Sequence, residues 1–190
     1  MKKGALAAVG AYILWGLLPV YWKALGAVPP PETLAHRTIW SLAFVLILQA
    51  ALRRWEWLRL VRAQPRMLRT FLASTLLLGL NWLTYIWAVT AGHVVDSSLG
   101  YFINPLVSVL LGVVFLRERL RPWQGVAVGL AAVSVLYLTL GLGSLPWIAL
   151  VLAGTFGFYG LLRKTAPLGS LEVLTVETAL LSLPGLAYLL

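Results

Sequence analysis

Seven apolar stretches follow one another along this chain, at about 4–26, 34–52, 69–91, 98–116, 122–142, 145–162 and 174–190. A helix that crosses the hydrocarbon layer of a bilayer needs roughly 20 predominantly apolar residues, and each stretch reaches or approaches that length. Hydrophobic residues make up 61% of the 190 and charged residues only 11%. Soluble domains lie nearer half and a quarter. So much apolar surface needs lipid as its solvent. The expected fold is therefore an all-α polytopic membrane protein with about seven transmembrane helices. Cysteine is absent, which excludes disulfides and thiolate metal sites.

A net charge of +9 raises the question of nucleic acid. Its distribution answers otherwise. Of the 15 cationic residues, all but Lys23 and Arg37 fall on alternate loops: Lys2 and Lys3, the arginines from Arg53 to Arg69, then Arg117, Arg119 and Arg121, then Arg163 and Lys164. The other loops, GAVPPPET, the region around GHVVD, and LGLGS, hold no Lys or Arg. This is the positive-inside pattern, with a cytoplasmic N-terminus and multi-pass insertion. MKK before an apolar run imitates a signal peptide. Lys23 interrupts the place where cleavage would fall, so the first span is read as retained.

Residues 53–69, RRWEWLRLVRAQPRMLR, carry too much charge to span. Trp55, Trp57, Leu58 and Val61 alternate with arginines and suit a short interfacial helix. Spans one and six resemble each other. With an offset of 141, Ala8 matches Ala149, Trp15 matches Phe156, Gly16 matches Gly157 and Lys23 matches Lys164. With an offset of 140, Glu32 matches Glu172 and Leu34 matches Leu174. The repeat unit would hold five spans, an odd number, so a second copy enters from the opposite side. The expected organisation is a first five-helix repeat at 1–142 and the start of a second, incomplete one at 143–190. The sequence stops at Leu190 inside apolar residues, so a fragment, a truncated product or one piece of a split gene is expected.

The residues that could carry function are the polar and broken points of the spans. Pro105 cannot bond the Tyr101 carbonyl four residues before it. An unpaired carbonyl in lipid costs several kcal/mol. Tyr101, Asn104, Ser108 and Gly112 share one helical face, which either lines a cavity or packs on a neighbour. Asn81 and Tyr85 share a face of span three, with the same two readings. Pro19 frees the Trp15 carbonyl beside Gly16, as a hinge or a static kink. Trp15, Asn81, Tyr85, Tyr101, Asn104 and Ser108 are thus the substrate-cavity candidates, with Pro19 and Pro105 as helix breaks. Glu177 is the candidate for ion coupling; the alternative is a membrane-end carboxylate. Lys23 either snorkels outward or attracts an anion. Arg37 opens span two beside His36 and nearly corresponds to Glu177 in the repeat. Inversion sets those two toward opposite faces, so they are not expected to pair. Gly125 and Gly129 form a small-xxx-small motif for close packing within the chain, or for a homodimer. His93 and Asp96 lack a third ligand, so no metal site is expected, and no catalytic motif is present. No enzyme activity and no cofactor are expected.

The stretches AYILWGLLPVYWKAL, HRTIWSL, NWLTYIWAV, SSLGYFINPLVSVLLGVVFLRERL and GSLPWIAL carry a resemblance. Across essentially its whole length the chain resembles the drug/metabolite transporter superfamily, and within it the EamA-type transporters of the RarD group. The common family form has Gly before the Glu that closes the fourth helix, whereas this chain has Arg117 before Glu118. The resemblance implies a ten-helix carrier of two inverted five-helix repeats in a bacterial cytoplasmic (inner) membrane. It also implies efflux of amino acids, metabolites or drugs, often by proton exchange. The expected function is a secondary transporter of a small-molecule substrate by alternating access. The alternative is a non-transporting membrane structural or assembly subunit. The expected partners are the lipid bilayer and that substrate, with no nucleic acid.

Overall fold

The computed structural model describes residues 2–53, 55–63, 65–141, 145–165 and 168–190. Eight helices follow in order: α1 Lys2–Ala24, α2 Pro30–Leu52, α3 Trp57–Ala63, α4 Pro65–Thr90, α5 Val94–Leu116, α6 Pro122–Gly141, α7 Trp147–Thr165 and α8 Ser170–Leu189. The expected repeat boundary at 142/143 lies outside the described residues.

Six of these helices are long and apolar enough to cross a membrane: α1, α2, α4 from Met67, α5, α6 and α8. The 19-residue α7 is left out because Arg163 and Lys164 in its last turn dilute its apolar character. Its packing is nevertheless that of a core helix. Ile148, Ala149, Leu152 and Ala153 are all buried, against α4 and α5.

Four helices begin about one turn earlier than the apolar stretches suggest. The starts are 30, 65, 94 and 170, against 34, 69, 98 and 174. The extra turns hold Pro30 and Pro31, Pro65, Asp96, and Glu172. Proline suits a first turn because its missing N–H has no partner there anyway. Acidic side chains are favoured there by the helix dipole. Hydropathy alone assigns such residues to loops.

α4 lies at the centre, touching α1, α2, α3, α5, α7 and α8. The most extensive contacts join α5 to α7 and α2 to α8. Gly100 allows the first: an added Cβ would lie 3.1 Å from the Ala149 carbonyl oxygen and 2.9 Å from Leu152 Cβ. Gly157 faces Val107 in the same seam. The second pair runs antiparallel, because Gln49 Nε2 donates to Thr175 Oγ1 at 3.1 Å near one end and Gly185 abuts Ala35 and Thr38 near the other.

Two expectations are revised. Trp57 is not only an interfacial anchor: it is buried with Met67, Phe71, Val173 and Val176, tying α3 to α4 and α8. Gly125 and Gly129 meet nothing within 4 Å, and α6 buries no described residue. The small-residue face of α6 therefore does not pack within the described residues.

Candidate functional site

Four helices bring side chains to one cluster. α1 supplies Trp15 and Trp22, α2 supplies Arg37, α4 supplies Trp82 and Tyr85, and α5 supplies Tyr101. The Tyr85 and Tyr101 rings meet edge to face at 5.5 Å, and Trp15 lies 6.3 Å from Tyr101. The Arg37 guanidinium sits over Trp82 at 4.0 Å and near Trp22 at 5.4 Å. The phenols of Tyr21, Tyr85 and Tyr101 lie within electrostatic range of it. Such rings can stack on a flat substrate or on a cation. Arg37 and its two tryptophans stood outside the sequence-derived candidates. The available signal was a cation placed off the positive-inside pattern, eight residues into an apolar helix.

The other candidates divide between this cluster and its surroundings. Asn81 is buried and points at α7, donating to the Leu152 carbonyl at 3.0 Å and to Thr155 Oγ1 at 2.9 Å. Among the described residues its Oδ1 has no hydrogen-bond partner, and neither does the Oδ1 of Asn104. Ser108 lines a separate crevice of about 110 Å³ between α5 and α7, with Gly112, Gly157 and Lys164. So the face from Tyr101 to Gly112 serves several neighbours in turn. Neither expected break interrupts its helix, since Pro19 lies inside α1 and Pro105 inside α5. A proline removes the bond its nitrogen cannot donate and crowds the carbonyl four residues before it, and the remaining helical bonds carry each helix through.

Glu177 occupies a second polar site. It is fully buried, accepting from Ser74 Oγ of α4 at 2.8 Å and from Tyr159 Oη of α7 at 3.0 Å. Burial sets it apart from a water-facing end. No ion pair joins it to Arg37 among the described residues. A carboxyl group with hydroxyls on both oxygens, at the junction of three helices, can exchange a proton and register helix movement. At the edge of the bundle, Lys164 Nζ donates to Glu118 Oε1 at 2.9 Å, and His93 Nδ1 lies 3.1 Å from Asp96 Oδ2.

The sequence profile of the EamA-like transporter family matches residues 2–140. The chain belongs to the EamA-like transporter family. A protein RarD of Streptomyces exfoliatus is 50% identical over 189 residues, covering 100% of this chain and 60% of that protein. An uncharacterized transporter of Pseudomonas aeruginosa is 46% identical, covering 100% of this chain and 64% of that protein. A protein RarD of Escherichia coli is 44% identical, covering 93% and 60%. The chain thus spans about three-fifths of the length of these EamA relatives. No solved structure matches it. The position before Glu118, where the resemblance implies Gly, has a backbone that suits it. Arg117 holds φ at +54°, the left-handed region that glycine enters without steric cost.

Proposed function

We propose that this chain serves a secondary transporter that exports small metabolites, amino acids or drugs across the bacterial cytoplasmic membrane by alternating access, coupled to protons through Glu177. One observation carries the reading: helices α1, α2, α4 and α5 converge on an aromatic cluster that holds a charged guanidinium inside a membrane bundle. Charge at that depth is costly and is kept where it binds or moves something.

The antiparallel α2–α8 pair supports an inverted repeat. A two-fold relating residue i to i + 140 carries the Ala35–Gly185 contact onto positions 45 and 175. The observed bond joins Gln49 to Thr175, one turn along. Arg37 and Glu177 are each the eighth residue of their helices, so such an axis exchanges them. The family profile's range, 2–140, is in keeping with one repeat ending near residue 142. In this organisation the N-terminus is cytoplasmic.

Inverted vesicles containing the protein with all the spans its gene encodes test the reading. A pH gradient is imposed, and uptake is measured for labelled aromatic and aliphatic amino acids, quaternary amines and amphenicols. Accumulation that collapses with the gradient is expected. No accumulation by correctly inserted protein would favour the assembly-subunit reading.

A further inference from the structure

Between α1 and α2 lies a pocket of about 670 Å³, within the range that holds a small organic ligand. Leu18, Tyr21, Leu25 and Trp40 give it apolar walls. Three of its residues carry polar groups without hydrogen-bond or ion-pair partners among the described residues. Arg37 lines it and makes no ion pair or hydrogen bond among the described residues; its charge rests on the Trp82 and Trp22 rings. An aromatic face offsets part of a positive charge. It does not take up the planar fork of N–H donors, which matches two carboxylate oxygens. Trp22 and Thr33 line the same pocket. Both are buried, Trp22 at 4% exposure and Thr33 at 6%, and the Trp22 indole N–H and the Thr33 hydroxyl have no hydrogen-bond partner among the described residues. Buried donors without partners are rare in folded proteins. Here two of them lie beside Arg37, with which Glu32, the acidic side chain of the same pocket, makes no ion pair among the described residues.

We propose that this pocket binds the carboxylate of a small monoanion with an apolar body, with Arg37 as the charge partner and Trp22 and Thr33 as the additional donors. The proposal rests on the transporter reading and deepens it. Glu32 and His36 also line the pocket. A carboxylate facing a single guanidinium makes a second negative charge on the ligand unfavourable, so monoanions fit and dianions do not.

The test is equilibrium binding of radiolabelled phenylacetate to the full chain in phosphatidylcholine nanodiscs, with phenylacetamide and succinate as competitors. Phenylacetate should bind saturably, unlabelled phenylacetate should compete, and the amide and the dianion should compete at least roughly tenfold more weakly, since a charge-assisted bond is lost or a repulsion added. Arg37→Gln should weaken binding roughly 10- to 100-fold. Thr33→Val keeps shape and removes one donor, and Trp22→Phe removes one donor and part of the ring; each should weaken it by roughly three- to tenfold. Those two conservative variants keep the test decisive if Arg37→Gln does not fold. Overturning results are an amide that competes as well as the acid, no saturable binding, or unaltered binding by monodisperse Trp22→Phe and Thr33→Val. Loss of phenylacetate binding on exchange into phosphatidylglycerol nanodiscs at high salt, where the surface potential is screened, would also overturn it, by assigning the pocket to a lipid headgroup. The two readings fail separately. Gradient-driven flux of uncharged solutes without carboxylate binding removes the pocket assignment alone. Carboxylate binding without flux of any solute removes the transport reading alone.

Discussion

Arg117 is, with Arg53, one of two non-glycine residues among those described whose backbone enters the left-handed region. It closes α5 at φ +54°, ψ +32°, with its N–H on the Gly112 carbonyl, and the Glu118 N–H reaches the same oxygen at 3.1 Å. That is a left-handed helix cap, the place where glycine is preferred. A side chain there costs about 1–2 kcal/mol, and glycine returns part of the gain as unfolded-chain entropy. Arg117→Gly should therefore stabilise the protein by about 0.5–1 kcal/mol, read as a higher melting temperature by size-exclusion after heating in detergent. Asn104 is a residue of the opposite kind. Its Oδ1 is buried without a partner among the described residues, so leucine removes little packing. Asn104→Leu should abolish substrate flux and leave membrane insertion intact, measured by vesicle uptake and by protein yield in the membrane fraction. Unchanged flux would remove Asn104 from the site.

At the scale of the helices, the seam between α5 and α7 depends on small residues, and the glycines of the chain are unequal. An added Cβ at Gly100 would crowd the backbone of Ala149, which cannot move aside as a side chain can. Gly100→Val should cost about 1–3 kcal/mol, the usual penalty for overpacking. Gly154 and Gly125 also lie inside helices, with nothing within 4 Å. Replacing either with alanine should stabilise by about 0.5–1 kcal/mol, because helix propensity is then the only term. The same melting assay separates the two classes. Gly154, Gly157 and Gly160 recur at every third residue of α7. Only Gly157 among them meets a neighbouring helix, which depends on how α7 rotates against α5. The existence of each helix was legible because lipid imposes composition directly. The helix starts were less so, because prolines and acids of the first turn look like loop.

For the whole molecule, topology and coupling are the properties to test. The absence of cysteine makes single-cysteine labelling free of background. With the N-terminus in the cytoplasm, a membrane-impermeant maleimide added to intact cells should label Ala27→Cys and Ala91→Cys and spare Arg53→Cys. All three positions are exposed. The reverse pattern would invert the orientation. Glu177→Gln keeps the shape of the side chain and removes its titration. If the carboxyl carries the proton, gradient-driven accumulation should be lost while substrate exchange without a gradient persists. Loss of both would make Glu177 structural, in line with its bonds to α4 and α7.

The sequence by itself determined that this chain lives in lipid, which loops hold the positive charge, where most of the helices run and which family it resembles. These are properties of composition and order, and solvent acts on them residue by residue. The candidate pairs Asn81 with Tyr85 and Tyr101 with Asn104 were also legible, because helical spacing alone sets a shared face. The tertiary structure decided what those faces meet. It turned Asn81 toward α7 and joined Tyr85 to Tyr101. It set Arg37 between Trp22 and Trp82, residues 15 and 45 positions away from it in the chain. No local pattern encodes such a meeting. It depends on the rotation and depth of α1, α2 and α4, which side-chain packing between the helices sets together.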